Sequence, residues 1–396
     1  MGMTGRRGAF GLVAVGVVAM LITGCSSSPE VPVQGKNAPS TSTTPPAPPV
    51  TLTLGTADGA AGVAPGLPLI ATAADGKLTD VKLTGADGAV VEGAISPDGL
   101  QWANTAALGY DKAYTLSVTG QGADGKSVTK TSAFTTVKPR TLTYVETNPQ
   151  DGAVVGVGQP IAFYFDEPIA DKLAAEAALQ ITTEPKVEGA FYWFNDKEVH
   201  WRPQAFWAAG TKITINAKVY GKHMGDGIYG QEDRVINATI GDAVIHEADG
   251  ASHEVVTKVN GQVVRTVPTS MGNAANTTPV GTYVITEKRD HMIMDSTTYG
   301  LALDAGGYKT PVDWATRMSN SGIFVHSAPW SIGDQGNRNV SHGCLNMSPE
   351  NAKWFFDNAK PGDVVIVANS GGPALESWDG FGDWQVPWPE WVAGNR

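Results

Sequence analysis

Short runs of alternating apolar and polar residues dominate the first folded part of the chain, over residues 51–139. Tyr114–Val118 places Tyr, Leu and Val on one face and Thr and Ser on the other, the period of a half-buried β-strand. Turn dipeptides separate the runs at Asp58-Gly59, Asp75-Gly76, Asp87-Gly88, Asp98-Gly99 and Asp124-Gly125. Regular short strands without helical periodicity predict a β-sandwich of immunoglobulin-like (Ig-like) size, without a disulfide.

A second part, over residues 140–241, shows the same alternation. Ile161–Phe165 and Ile213–Val219 predict strands, and the turn segments resemble those of bacterial Ig-like modules. We interpret its tryptophans as core or inter-sheet packing, with carbohydrate stacking as a minor alternative, and His200 and His223 as structural. These tryptophans are Trp193, Trp201 and Trp207. The pattern therefore predicts two Ig-like β-sandwich domains in succession.

The third part, over residues 242–370, opens with a hairpin pattern. Glu254–Val259 and Gln262–Val264 alternate on either side of Asn260-Gly261, a dipeptide typical of two-residue primed turns. This part is predicted to be rich in β-strands.

One clear helix is predicted near the end of that part. Ser348 suits the N-cap and Pro349 the first helical position, while Pro361-Gly362 ends the pattern. The predicted buried stripe consists of Ala352, Phe355, Phe356 and Ala359. The fold class is therefore mainly β, with a single clear helix in the third part.

Residues 371–396 form a Trp-rich C-terminal extension. It carries four of the eleven tryptophans, Trp378, Trp384, Trp388 and Trp391. So many indole rings would stay exposed to water in a disordered tail, although such rings favour burial. We therefore expect this extension to fold back onto a sheet and to cover an edge or a gap.

The composition and charge of the chain mainly exclude certain partners and folds. The 396 residues include 28 basic and 39 acidic side chains, a formal net charge of −11, which argues against a nucleic-acid partner. The chain has two cysteines, Cys25 and Cys344, too few for a disulfide framework.

The first cysteine follows the pattern of an export signal. Arg6-Arg7, the apolar run 9–22 and the small residues before Cys25 predict a signal peptide over residues 1–24. Residues 21–25 resemble a bacterial lipobox, so Cys25 is the predicted lipidation site; the alternative is a cleaved signal that happens to contain a Cys. Residues 25–50 are rich in Pro, Ser and Thr and predict an extended tether. We expect an exported protein, lipid-anchored to the cell membrane and facing the periplasm or cell wall.

The second cysteine lies among residues suited to nucleophilic chemistry. A predicted buried strand, Ile323–Val325, precedes His326, and Ser341–Cys344 follows after a loop. A thiol is only slightly ionised near neutral pH unless a neighbour activates it, and histidine is the usual activator. Gly343 leaves room beside the sulfur, so the backbone N–H groups of Gly343 and Cys344 could face a developing oxyanion.

Two other interpretations stay open on the residues alone. Cys344 can be a buried structural thiol with packed histidines around it. Alternatively, His326, His342 and Cys344 can supply three ligands of a catalytic zinc ion, although the sequence offers no evident fourth ligand and no Cys-x-x-Cys pair.

His326, followed fifteen residues later by Ser341-His342-Gly343-Cys344-Leu345-Asn346, resembles the signature of the L,D-transpeptidases, whose catalytic domain is called YkuD. The resemblance extends to a mycobacterial-type class with a lipoprotein signal, two Ig-like domains, the catalytic domain and a Trp-rich extension. It implies that residues 242–370 are the catalytic domain.

The resemblance implies acyl transfer on peptidoglycan stem peptides. Cys344 would attack the diaminopimelate carbonyl of a donor tetrapeptide and release D-Ala, and a diaminopimelate amine of an acceptor stem would take the thioester, giving a 3→3 cross-link. His326 would accept the thiol proton while the backbone carbonyl of Ser327 orients its ring, and His342, Gly343 and Cys344 would shape the oxyanion site. No metal or cofactor is implied, and carbapenems are implied as inhibitors that acylate the same thiol.

A lid over the donor site is also implied, from about residue 289 to 313. The expected substrate-binding residues, in the lid and beside the cysteine, are Met294, Tyr299, Tyr308, Trp330 and Asn346. For the tyrosines and Met294, plain packing within the lid is the alternative.

Three alternative functions stay open beside transpeptidation. An L,D-carboxypeptidase would pass the acyl group from the thioester to water, and a related enzyme would attach a protein to peptidoglycan. A catalytically silent wall-binding protein is a third alternative, against which the intact residues His326, His342, Gly343 and Cys344 argue.

Overall fold

The computed structural model describes residues 47–300 and 302–396, with only the backbone of Tyr299. The predicted signal peptide, the predicted lipidation site Cys25 and most of the predicted tether lie outside these residues. In the described part of the chain, no helix is long and apolar enough to cross a membrane.

The first part consists of two facing sheets. Its strands are β1 (Thr51–Leu54), β2 (Ala60–Val63), β3 (Ile70–Ala74), β4 (Gly76–Gly85), β5 (Val90–Val91), β6 (Gly93–Ile95), β7 (Gln101–Asn104), β8 (Ala113–Gly122) and β9 (Ser127–Thr136). The sheets have strand orders β1-β3-β7-β6 and β2-β9-β8-β4-β5. They enclose one apolar cluster that includes Leu83, Trp102 and Leu116. In β8, Leu116 and Val118 are buried while Thr115 is exposed, as the alternation predicted.

The second part repeats this arrangement. Its elements are β10 (Thr141–Thr143), β11 (Val145–Asn148), β12 (Ala153–Val155), β13 (Ile161–Phe165), α1 (Lys172–Ala178), β14 (Leu179–Glu184), β15 (Gly189–Asn195), β16 (Glu198–Pro203), β17 (Lys212–Ala217), β18 (Ile228–Gly230) and β19 (Arg234–Ile240). One sheet has the order β11-β13-β16-β15 and the other β12-β19-β17-β14, while β10 pairs with β18. Trp193, Trp201 and Trp207 are buried in the cluster between the sheets. Sequence reasoning missed α1, whose N-terminus Asp171 caps by accepting a hydrogen bond from the Ala174 N–H.

The third part also has two sheets. Its elements are β20 (Val244–Asp249), β21 (Glu254–Val259), β22 (Gln262–Pro268), β23 (Gly281–Val284), β24 (Glu287–Asp295), β25 (Lys309–Arg317), β26 (Phe324–Ser327), β27 (Leu345–Met347), α2 (Pro349–Asn358) and β28 (Val364–Ala368). The sheets have the orders β22-β21-β20-β28-β23 and β24-β25-β26-β27.

Local signals predicted two of these features well. Asn260 and Gly261 have φ angles of +50° and +81° and join β21 to β22, which confirms the primed-turn hairpin. At the start of α2, the Ser348 side chain accepts a hydrogen bond from the Asn351 N–H. Ala352 and Phe355 are buried, so the helix packs its apolar stripe against β25 and β26.

The C-terminal residues lie against the second part. A 3₁₀ turn (Gly382–Gln385) precedes a short helix, α3 (Trp388–Ala393). The indole of Trp391 is fully buried and donates to the Ala190 carbonyl (2.8 Å), and the indole of Trp384 donates to the Gly158 carbonyl (2.8 Å). These hydrogen bonds join the C-terminus to residues about 200 positions earlier in the chain.

Candidate active site

The register of β26 and β27 brings the two halves of the motif together. The strands are parallel, with Val325 paired to Leu345 and His326 to Asn346. Because Cys344 immediately precedes β27, this pairing places it beside the strand that carries His326. The proximity is thus a consequence of backbone hydrogen bonding between two short buried strands.

His326 and Cys344 line one cavity of about 340 Å³. The other lining residues are Met294, Tyr308, Thr310, Val312, Trp330, Ser331, Asp334, Val340, Ser341, His342 and Asn346. The walls combine apolar and aromatic side chains with a few polar groups, which is typical of a ligand site.

His326 is held as a neutral base. Its ring is buried, and Nδ1 lies 2.8 Å from the Ser327 carbonyl oxygen. A carbonyl only accepts, so Nδ1 carries the proton and Nε2 keeps its lone pair. Burial lowers the pKa of His326 to about 4, against the hydrogen bond to Ser327, which favours the charged form. At neutral pH the ring is therefore able to take a proton.

Cys344 is held as a thiol. It is buried, and its Sγ–H donates to the Gly322 carbonyl at 3.6 Å. Burial raises the pKa of the thiol to about 11, against a hydrogen bond from the Phe324 backbone and the positive charge of Arg317. Both side chains are thus neutral at rest and do not form a preformed ion pair.

The turn before Cys344 is stabilised by one hydroxyl group. Ser341 Oγ accepts from the Gly343 N–H (3.0 Å) and donates to the Cys344 carbonyl (2.6 Å). The structure does not support the expectation that the Gly343 N–H faces an oxyanion, because this N–H is bonded to Ser341 Oγ. The same expectation for the Cys344 N–H stays a prediction. Gly343 has φ +120°, and a Cβ there would lie 2.8 Å from Ile323 Cδ1. The positive φ is what favours glycine at this position, since the Ile323 methyl group is the far end of a flexible side chain.

The predicted lid is a β-hairpin. Strands β24 and β25 pair antiparallel, from Glu287 opposite Arg317 to Asp295 opposite Lys309. Two 3₁₀ turns, Ser296–Tyr299 and Leu303–Ala305, lie at the tip of the hairpin. The Tyr299 side chain is outside the described part of the structure, so its predicted substrate contact is untested.

Two other predicted substrate-binding residues of the lid reach the cavity. Met294 is buried in the same apolar cluster as Cys344, and the Tyr308 ring lies 5.1 Å from the exposed ring of His342. The lid therefore contributes one apolar and one aromatic wall next to the motif.

The remaining predicted contacts differ in exposure. Trp330 is 58% exposed and its ring lies 6.0 Å from that of His326, which places it at the mouth of the cavity. Asn346 is buried and donates from Nδ2 to Ser331 Oγ (3.1 Å). Within the described residues its Oδ1 has no hydrogen-bond partner, leaving an acceptor beside the cavity.

Several residues at the site escaped sequence reasoning. Gly322, Ser331 and Thr278 contribute through backbone or hydroxyl groups, and Thr278 lies 65 residues before its partner Gly343. No local pattern marks such groups, because their role depends on chain segments that meet only after folding.

A zinc site would need its ligand side chains to converge on one point. Across residues 47–300 and 302–396, no group of three or more His, Cys, Asp and Glu side chains is placed to hold a metal ion. His326, His342 and Cys344 thus do not converge as a ligand set.

Family comparisons agree with this architecture. Residues 60–223 match the bacterial Ig domain family, and residues 244–367 match the L,D-transpeptidase catalytic domain family, YkuD. The mainly β fold with an Ig-like region followed by a YkuD domain is confirmed. The Ig match covers parts of both sandwiches as a single domain, so the predicted boundary between two Ig-like domains stays a prediction.

Known proteins with similar sequences carry the same name. The chain is 49% identical over 345 residues to L,D-transpeptidase 2 of Mycobacterium tuberculosis (strain CDC 1551 / Oshkosh), covering 87% of this chain and 84% of that protein. It is 39% identical over 357 residues to L,D-transpeptidase 5 of M. tuberculosis (strain ATCC 25618 / H37Rv), covering 88% and 77%. A solved structure, LD transpeptidase LdtMt1 in complex with imipenem, is 36% identical with a TM-score of 0.50, covering 56% of this chain and 97% of that one. The chain belongs to the L,D-transpeptidase family.

Proposed function

We propose that the chain cross-links peptidoglycan by forming 3→3 bonds between diaminopimelate residues, through a thioester on Cys344. The observation that carries this proposal is the shared cavity of a buried thiol and a buried neutral imidazole, in a chain of this family. A neutral base beside a neutral thiol is the combination that general-base attack on an amide requires.

In the first half-reaction, Cys344 Sγ attacks the diaminopimelate carbonyl of the donor tetrapeptide. The thiol proton passes to His326 Nε2, while the Ser327 carbonyl keeps the ring in the required tautomer. The imidazolium then protonates the leaving amine, and D-Ala departs as the thioester forms.

In the second half-reaction, the side-chain amine of a diaminopimelate on another stem attacks the thioester. His326 takes a proton from this amine, and the sulfur leaves and is reprotonated. The new amide joins the third residues of two stems, and the enzyme returns to its neutral resting state.

The roles of the remaining residues follow from their positions. His342, Gly343 and Cys344 form the turn around the reacting carbonyl, and Asn346 offers a free acceptor oxygen beside it. Met294, Tyr308 and Trp330 supply walls for the stem peptide, and Tyr299 is included on the family resemblance alone.

We further propose inhibition by carbapenems and attachment to the cell membrane. The related structure with imipenem supports acylation of Cys344 by the same class of β-lactam. The basic and apolar N-terminus ahead of Cys25 supports export and lipidation, and the Pro-rich tether supports presentation of the folded part to the cell wall.

Purified tetrapeptide stems and mass spectrometry test the function. The expected product is a dimer that has lost one D-Ala, formed by the wild type and not by Cys344→Ala. Free tripeptide without dimer would favour the carboxypeptidase alternative. Stems left unchanged by the wild type would contradict both activities.

The nucleophile is tested separately with imipenem. We expect one covalent adduct per chain in the wild type and none in Cys344→Ala. An adduct that survives the substitution would place the nucleophile elsewhere.

A further inference from the structure

A buried threonine lies directly behind the nucleophile loop. Thr278 Oγ1 donates to the Gly343 carbonyl (2.7 Å) and accepts from the Gly272 N–H (3.0 Å), and its side chain is fully buried. Its own carbonyl accepts from Ser370 Oγ (2.5 Å). The hydroxyl is therefore held between the Gly343 carbonyl and the Gly272 N–H, while Ser370 holds the backbone of the same residue.

The Gly343 carbonyl shares a peptide unit with the Cys344 N–H. This peptide bond is trans, since the cis bonds of the described chain are those before Pro149 and Pro185. In a planar trans peptide the C=O and N–H point in opposite directions. A hydroxyl that holds the Gly343 oxygen therefore also sets the direction of the Cys344 N–H.

Cys344 lines the cavity and Thr278 does not. An N–H that points away from Thr278 therefore points to the side of the loop on which the cavity lies. Two other backbone groups of this turn are occupied, because Ser341 Oγ bonds both the Gly343 N–H and the Cys344 carbonyl. Within the described residues the Cys344 N–H has no acceptor. It is a donor that the turn leaves free, on the residue that carries the sulfur.

We propose that Thr278 is a positioning residue for the oxyanion formed when Cys344 attacks its substrate, and this rests on the proposed function. Its hydroxyl holds the Gly343–Cys344 peptide so that the Cys344 N–H stays aimed at the substrate carbonyl oxygen. A donor fixed before the reaction stabilises developing charge without reorganisation. The hydrogen bond to the Gly343 oxygen also polarises the same amide and strengthens its N–H as a donor.

Three variants separate this role from plain packing. Thr278→Val removes the hydroxyl and keeps the shape, and Thr278→Ser keeps the hydroxyl and loses the methyl group. Ser370→Ala is the matched control, because it removes the hydrogen bond to the Thr278 carbonyl and leaves the hydroxyl in place.

We expect Thr278→Val to lower the rate constant of acylation by imipenem on the order of tenfold, less than the 10²–10³ of deleting an oxyanion donor outright. The concentration of imipenem needed for half-maximal rate should change little, because the lost interaction acts in the transition state. Thr278→Ser and Ser370→Ala should acylate within about twofold of the wild type.

Infrared spectroscopy of the acyl-enzyme provides the direct readout. The carbonyl of the acyl group is labelled with ¹³C. Thr278→Val should shift the stretch of this carbonyl to higher frequency, because the hydrogen bond that the carbonyl oxygen accepts from the Cys344 N–H weakens. A merely structural role would lower the melting temperature but leave this frequency unchanged. If Thr278→Val does not fold, Thr278→Ala also lacks the hydroxyl and is measured in its place.

Equal acylation rates and equal carbonyl frequencies in the wild type and the hydroxyl-free variant would overturn the proposal. A wild type that forms no adduct on Cys344 would instead overturn the proposed function, so the two failures are distinguishable.

Discussion

His326 lies beside the cavity of the candidate active site, and His200 lies between the second sandwich and the C-terminal tail. Both rings are almost completely buried, at 4% and 1% exposure. Burial lowers the pKa of His326 to about 4. In His200 burial acts in the same direction, but Asp383 and Glu198 outweigh it and raise the pKa to about 9. The two rings are equally buried and carry different charges at neutral pH.

The difference comes from the hydrogen-bond partners. His200 Nδ1 lies 2.8 Å from Asp383 Oδ1 and its Nε2 lies 3.1 Å from Glu198 Oε1. Carboxylates only accept, so both ring nitrogens are donors and the ring is a cation. His326 has a single carbonyl partner and keeps one lone pair. One histidine can therefore act as a base, whereas the other stabilises a contact between distant parts of the chain.

Beside His200, Arg202 adds a second buried cation to this contact. Its guanidinium lies 4.2–5.5 Å from the ring centroids of Trp384, Trp388 and Trp391 and donates to the Val386 carbonyl. The tail is thus joined to the second sandwich by charge, cation–π contact and indole burial together.

Removing the neutral base should have the largest effect. We expect His326→Gln to lower the acylation rate about 10²- to 10⁴-fold, because glutamine cannot take the thiol proton. The rate of adduct formation with imipenem measures this. Exposed His223, in the second part of the chain and outside the cavity, gives the control variant His223→Gln, which should react normally. A fully active His326→Gln protein would show that another group accepts the proton.

Breaking the buried ion pair should mainly affect stability. We expect Asp383→Asn to lower the free energy of unfolding by about 3–5 kcal/mol, because it leaves the His200 cation without its fully buried partner. Glu198→Gln should lower the free energy of unfolding by less than Asp383→Asn does, since the Glu198 side chain is 30% exposed. Urea unfolding of both variants gives the comparison. Equal stability of the wild type and Asp383→Asn would mean that this pair contributes nothing.

Raising the pH should remove the same stabilisation gradually. The folded-state pKa of His200 is raised above the unfolded value, so its contribution is complete below about pH 6.5 and is lost as pH rises through about 9. The loss should reach about 3 kcal/mol at most. Urea titrations from pH 6 to 9.5 measure it, with Asp383→Asn giving a flatter profile. A wild-type stability that rises across this range would contradict the assignment of charge.

Lowering the pH should affect the active site the least. Because the pKa of His326 is lowered to about 4, the ring stays neutral well below the ordinary histidine range. At pH 5.5 a histidine with an ordinary pKa of about 6.5 would leave roughly a tenth of the base form, whereas we expect less than a twofold loss of acylation rate. Stopped-flow acylation by imipenem between pH 4 and 7.5 measures this. A midpoint near pH 6.5 would show that the imidazole is solvated or paired with a carboxylate.

Predictions from the sequence succeeded where the signal was local. The Asn260-Gly261 turn, the Ser348 cap and the alternation around Leu116 depend on neighbours within a few residues, and the structure has all three. The helix Lys172–Ala178 was missed because its few residues show no apolar period long enough to distinguish it from a loop.

The features that the sequence did not predict depend on partners far apart in the chain. The sequence predicted a structural role for His200, and the structure buries its ring, but its charge depends on Asp383, 183 residues later. The Gly343 N–H was expected at the oxyanion, but Ser341 accepts from it. The charge of His200 and the partner of the Gly343 N–H depend on which groups come together in the folded chain. The spacing of residues within one segment does not contain this information.

The sequence alone determined the β-rich architecture and the motif from His326 to Asn346. Both can be read from residues near one another in the chain: the alternation of apolar and polar side chains, and the spacing of the motif. The tertiary structure decided the charges of His200 and His326, the resting partner of the thiol at Gly322 and the support of the loop before Cys344 by Thr278. The physical reason is that a pKa or a hydrogen bond depends on burial and on the groups nearby, which segments far apart in sequence supply only once the sheets have formed.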